Sequence, residues 1–138
     1  MVPVVASTSL ERLHVQGAKD KTVNWKGAFA SCGGNGAVAS STIVYEIEPG
    51  NHLGWHTDAT EETQYIIAGT GTLHMEDGEH AVGPGSVFVL PANVRHDLAN
   101  TGRETLRIVE AIKRPVSPPP LPGGCRSSAP AHQAAMAK

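Results

Sequence analysis

"GNHLGWHTDATEETQYIIAG", residues 50–69, sets a polar cluster between two glycines and ends it in an apolar run. His56 and Asp58 are two positions apart, so in extended chain they project from one face, as side chains that share a ligand must. Glu62 and Gln64 repeat that spacing where the run "TQYIIAG" begins. The run is rich in β-branched and aromatic residues and too short, with glycine at its end, to read as a helix. The stretch therefore predicts a loop that carries polar side chains into a strand. A slip of one residue in that strand would exchange Glu61 for Glu62 on the inner face.

Working outward, the same texture continues on both sides. "STIVYEIEPG" is a β-branched run closed by Pro49 and Gly50, and "TLHMEDGEHAV" sets Asp77 and Gly78 between two strand-like arms. Asp-Gly is a preferred pair for a two-residue hairpin turn, in which both positions take positive φ. "GSVFVLPANVRHDL" and "TLRIVEAI" complete the series. Short strands at this spacing, without a convincing helix, predict an all-β antiparallel sandwich or barrel. Residues 1–39 read as an N-terminal arm and a Gly-rich loop, with "FASCGGNGAVAS" as a mobile connection. Residues 40–113 read as the barrel core. Residues 114–138 are so rich in Pro, Ala, Gly and Ser that an extended, disordered tail is expected.

Bulk properties narrow the function. At 138 residues one domain is expected, and a net charge of -2 offers no basic field to nucleic acid. No segment is apolar and long enough to span a bilayer, and the N-terminus lacks a signal-peptide core, so a cytoplasmic protein is expected. Aromatic residues make up 4% of the chain, which leaves the core to Val, Ile, Leu and Ala and favours support from a homodimer partner. Cys32 and Cys125 match no metal or redox spacing, and no disulfide is expected between them.

A second polar cluster follows about thirty residues later, where Pro91 closes "SVFVL" and "ANVR" leads into His96. With both clusters in view, the sequence resembles a small single-domain cupin. That family's motifs run G(x)5HxH(x)3-4E(x)6G and G(x)5PxG(x)2H(x)3N. Gly50, His56, Glu62 and Gly69 match the first, with Asp58 where a second histidine is usual. Gly85, Pro91, His96 and Asn100 match the second, with Asn93 in place of a glycine. Asn is the non-glycine residue that best tolerates the left-handed backbone such a turn needs. The likeness covers residues 40 to 112.

The resemblance implies a cupin-type jelly-roll β-barrel with one divalent metal ion (Fe, Mn, Ni or Zn) inside, on His56, Asp58, Glu62 and His96. Asp58 reads equally as a ligand or as a solvated acid; without it, His56, Glu62 and His96 form a two-histidine, one-carboxylate set of the non-haem iron kind. His52 and Gln64 are reserve ligands. Glu62 and Asp58 are the candidates for proton transfer, and Tyr45, Trp55, Gln64, Phe88 and Arg95 are candidates for a substrate pocket. The expected activity is that of a metal-dependent enzyme on a small-molecule substrate, an oxidoreductase or dioxygenase. The alternatives are a Zn, Ni or Mn isomerase, cyclase or lyase, or a metal-free cupin that binds a small molecule or sugar.

Overall fold

The structure is a computed structural model that describes residues 4–113. The expected tail at 114–138 lies outside the described residues. Nine strands occur in chain order: β1 (Leu13–Gln16), β2 (Asn24–Ser31), β3 (Ser41–Ile47), β4 (Glu62–Ala68), β5 (Gly71–Met75), β6 (Gly78–Val82), β7 (Val87–Leu90), β8 (His96–Ala99) and β9 (Leu106–Ile112). Helical structure among the described residues is limited to two 3-10 turns, Ser7–Ser9 and Gly33–Asn35. The strands form a six-stranded sheet in the order β1-β2-β3-β9-β4-β7 and a three-stranded sheet in the order β6-β5-β8. Every ladder between these strands is antiparallel.

Strict alternation decides which side chains enter the interior. In β9, Leu106, Ile108, Glu110 and Ile112 are buried while Arg107 and Ala111 face solvent. In β4, Glu62, Gln64 and Ile66 point inward while Tyr65 and Ile67 point out. The register sets Glu62 opposite Ile112, Gln64 opposite Glu110 and Ile66 opposite Ile108. One contiguous core joins these to Ile43, Tyr45 and Ile47 of β3 and to Leu73 and Leu98 of the smaller sheet. The inner wall is thus apolar toward one end and polar toward the other.

The sheet begins earlier in the chain than the sequence suggests. Residues 24–31, expected within an arm and loop, form β2 on the edge of β3. Low intrinsic strand preference in "NWKGAFAS" hid this, and burial of Trp25 and Phe29 in the core overrides it. Each side chain of that size contributes about 2–3 kcal/mol on leaving water. Trp25 meets Tyr45 edge-on at 6.0 Å within the same barrel. Farther out, Arg12 ties the N-terminus down, with its Nε 3.0 Å from Glu46 Oε1 and its Nη1 donating to the Ser7 and Leu10 carbonyls.

Two local expectations are corrected. The β5–β6 hairpin turns through Glu76 and Asp77, closing at the Met75–Gly78 pair, so Asp77 is not in a positive-φ position and Gly78 alone takes one, at 138°. Cys32, for which no disulfide was expected, is disulfide-bonded; cysteine spacing carried no signal because such a pairing depends on tertiary folding. Among the described residues no helix is long and apolar enough to cross a membrane.

Candidate metal centre

The two sequence clusters meet through the backbone. His56 and His96 form a reciprocal antiparallel bridge, each N–H donating to the other's carbonyl at 3.0 Å. Residues paired in this way present their side chains on the same face. The imidazoles accordingly lie with ring centroids 4.3 Å apart. Nδ1 of His56 donates to the Gly54 carbonyl at 2.6 Å and Nδ1 of His96 donates to the Val94 carbonyl at 2.9 Å. Each ring is thereby held in the tautomer that turns a bare Nε2 toward the shared face. Both Nε2 atoms are buried without a hydrogen-bond partner, and His56 Nε2 lies 3.3 Å from Asp58 Oδ2.

Asp58 is drawn in by the second motif. The turn after Pro91 places Asn93 at φ 64°, the sole non-glycine residue with positive φ among those described. That conformation aims the Asn93 N–H at the Asp58 carbonyl, 2.7 Å away. The donor atoms of His56, Asp58 and His96 consequently all lie within 4.8 Å of one another. Two imidazoles and a carboxylate gathered this closely out of bulk water fit a first-row divalent ion.

Glu62 is not among the three gathered residues. It is 1% exposed on the inner face of β4, which places it inward as the motif spacing requires and leaves Glu61 outside. Its Oε1 has no hydrogen-bond partner, and its Oε2 accepts from Gln64 Nε2 at 3.5 Å. Gln64 is fully buried, accepting from the Tyr45 hydroxyl at 2.6 Å and donating to Glu110 Oε1 at 2.9 Å. Glu110 escaped the sequence reading because "TLRIVEAI" was read as a strand without assigning its faces. The alternation through Leu106, Ile108 and Ile112 was the available signal.

The remaining candidates separate cleanly. Tyr45 and Phe88 face inward with Gln64, and Phe88 pairs with Gln64 across β4 and β7. Trp55 and Arg95 alternate away from His56 and His96 and meet each other at the surface, the guanidinium 4.8 Å from the indole centroid. His52 is spent elsewhere, with Nδ1 2.7 Å from Asp97 Oδ2 and Nε2 3.2 Å from Asp20 Oδ2. Asp97 Oδ1 also accepts the Gly54 N–H, so it braces the carbonyl that orients His56. Asn100 closes the second motif as a structural clip, donating to the Ile47 and Glu104 carbonyls.

The electrostatics follow from this packing. Burial pulls His56 down, but Asp58, the Gly54 carbonyl and Glu110 together raise it above the usual imidazole range. His96 is lowered, first by burial and then by His56, against the opposing pull of Val94, Asp58 and Asp97. Tyr45 is raised well above 10.0 by burial, helped by Glu110 and Asp58.

Comparison with known proteins agrees with this architecture. SchB of Streptomyces halstedii is 30% identical over 86 residues, 62% of each chain, so the chain spans less than two thirds of that relative. The polyketide cyclase RemF of Streptomyces resistomycificus superposes with a TM-score of 0.70 at 20% identity, covering 86% of this chain and 88% of that one. A sugar phosphate isomerase from Silicibacter pomeroyi gives 0.69 at 19% identity, covering 83% and 77%. These likenesses support the jelly-roll barrel and leave the chemistry open. Residues 43–112, half of the chain, match the family described as Cupin domain, and the chain belongs to that family.

Proposed function

We propose that the protein is a mononuclear metal-dependent enzyme acting on a small organic molecule, with one divalent ion held by His56, Asp58 and His96. The convergence of those three donors within 4.8 Å carries the proposal. A two-histidine, one-carboxylate set leaves coordination positions open, and this composition favours a non-haem-iron type of oxidoreductase. When bound, such an ion supplies electron exchange with dioxygen if it is iron, or Lewis-acid activation of a substrate oxygen if it is zinc or nickel.

The chain's own residues contribute three things. Gly54 and Val94 fix the imidazoles so that no proton has to leave Nε2 when neutral rings meet an ion. The Tyr45–Gln64–Glu110 chain holds the polar wall in one arrangement. Glu62 keeps a bare carboxyl oxygen in a site closed to bulk water, where it can take or give a proton.

That last observation also favours a second reading, an isomerase, cyclase or lyase, since proton transfer beside an activated oxygen is the step those reactions share. Metal identity in protein purified without added metal separates the two. Iron supports the oxidoreductase, and zinc or nickel supports the second reading.

A homodimer belongs to the same proposal. Tyr65, Ile67, Val87 and Val89 are each about half exposed on the outer face of β4 and β7, at the edge of the larger sheet. An apolar strip of this kind on an edge is the surface a second copy would cover.

A further inference from the structure

The two sheets part along one seam. β6 is an edge of the smaller sheet and β7 an edge of the larger one, and the turn from Gly83 to Ser86 joins them, with the Gly83 N–H donating to Ser86 Oγ at 2.9 Å. A groove of about 470 Å³ lies along this seam, a size that suits small organic molecules. Leu73, Met75 and Val82 of the smaller sheet and Phe88 of the larger one line it. A thioether and a phenyl ring between two sheet edges offer contact to a flat apolar body, an aromatic ring above all.

Strand alternation adds one polar group. His80 pairs with the core residue Leu73, so its ring rises from the inner face of β6, yet its side chain is 51% exposed at the open seam. Its Nε2 lies 3.1 Å from Asp77 Oδ1. A carboxylate can only accept, so Nε2 carries the proton, and in the neutral ring Nδ1 is then an acceptor for a hydroxyl group. The groove also borders the metal centre. Met75 is the register partner of His96 and Phe88 that of Gln64, and both pack partly buried against the core. We infer that the β6–β7 seam is where this site holds its substrate, a flat aromatic molecule whose hydroxyl donates to His80 and whose body rests on Met75 and Phe88.

The word substrate rests on the metal-dependent reading above, and the test keeps groove and ion apart. The probe is 2-naphthol, titrated into the full chain labelled with a heavy nitrogen isotope for NMR. In metal-free protein, saturable shifts are expected in the backbone signals of Met75, His80 and Phe88 and their strand neighbours. His80→Ala, at a half-exposed position, is expected to weaken binding about threefold or more, and Phe88→Ala about tenfold, each in protein whose spectrum stays dispersed. Mn(II), whose unpaired electrons broaden nearby signals, is expected on uptake to broaden the ring protons of the bound probe. Shifts centred on other strands, an affinity unchanged in both folded variants, or no shifts at the seam, as when a second copy fills it, would overturn the inference. Uptake of Mn(II) that leaves the probe's signals sharp would do the same. Binding of 2-naphthol at the seam in protein that takes up neither Mn(II) nor Zn(II) would instead overturn the metal reading and uphold the groove as a ligand site.

Discussion

His56 does its work through atoms that are not its own. Its ring is aimed by the Gly54 carbonyl, and Gly54 is held in turn by Asp97. Asp97→Ala is therefore expected to weaken Zn(II) binding by about tenfold to a hundredfold while leaving all three proposed ligands present, a loss that calorimetric titration at fixed pH would register. Tyr45 gives a prediction in alkali. Its folded pKa is raised well above 10.0, so above that pH the unfolded chain gives up a phenolic proton that the folded chain retains. Stability is then fully present below about pH 10 and falls as pH rises beyond it. Urea midpoints measured from pH 9 to 11 should show this slope and should lose most of it in Tyr45→Phe. At this scale the inward placement of His56, Glu62 and His96 was legible from motif spacing. Spacing was silent where reach decides. It put Asp58 on the face of His56 but did not tell ligand from solvated acid, and it gave no sign that Glu110 faces the interior.

Among the elements, the turn after Pro91 links chain geometry to the site. The left-handed backbone at Asn93, foreseen from the residue type, directs an N–H onto Asp58 and so couples the two motifs. Asn93→Gly should leave stability near the wild-type value. Asn93→Val, which cannot adopt that φ comfortably, should cost about 1–2 kcal/mol in urea denaturation and weaken metal binding as well. Gly69 marks the other end of the first motif at φ 82°, where a Cβ would stand 2.5 Å from the Thr105 carbonyl oxygen. The motif glycine is thus demanded twice, by backbone conformation and by the close approach of the β8–β9 connection. Strands from β3 onward were legible from alternation and turn residues. β1 and β2 were not, because their pairing depends on a tertiary surface offered by β3 rather than on their own composition.

The whole molecule divides its tasks between an apolar end, which holds the two sheets together, and a polar end, where loops and strands from both sheets bring the imidazoles and carboxyl groups together. The outer strip of Tyr65, Ile67, Val87 and Val89 makes an assembly prediction. Sedimentation should find a dimer at micromolar concentration, and Val87→Glu should shift it toward monomer without lowering the monomer's content of strand. The central proposal is that His56, Asp58 and His96 hold the ion without Glu62. The direct measurement is elemental analysis together with Zn(II) and Fe(II) titration of wild type, Asp58→Ala, His96→Ala and Glu62→Gln, each checked for folding by circular dichroism. About one ion per chain is expected in wild type and in Glu62→Gln, with loss in Asp58→Ala and His96→Ala. Retention in Asp58→Ala with loss in Glu62→Gln, or no uptake by wild type at all, would contradict it.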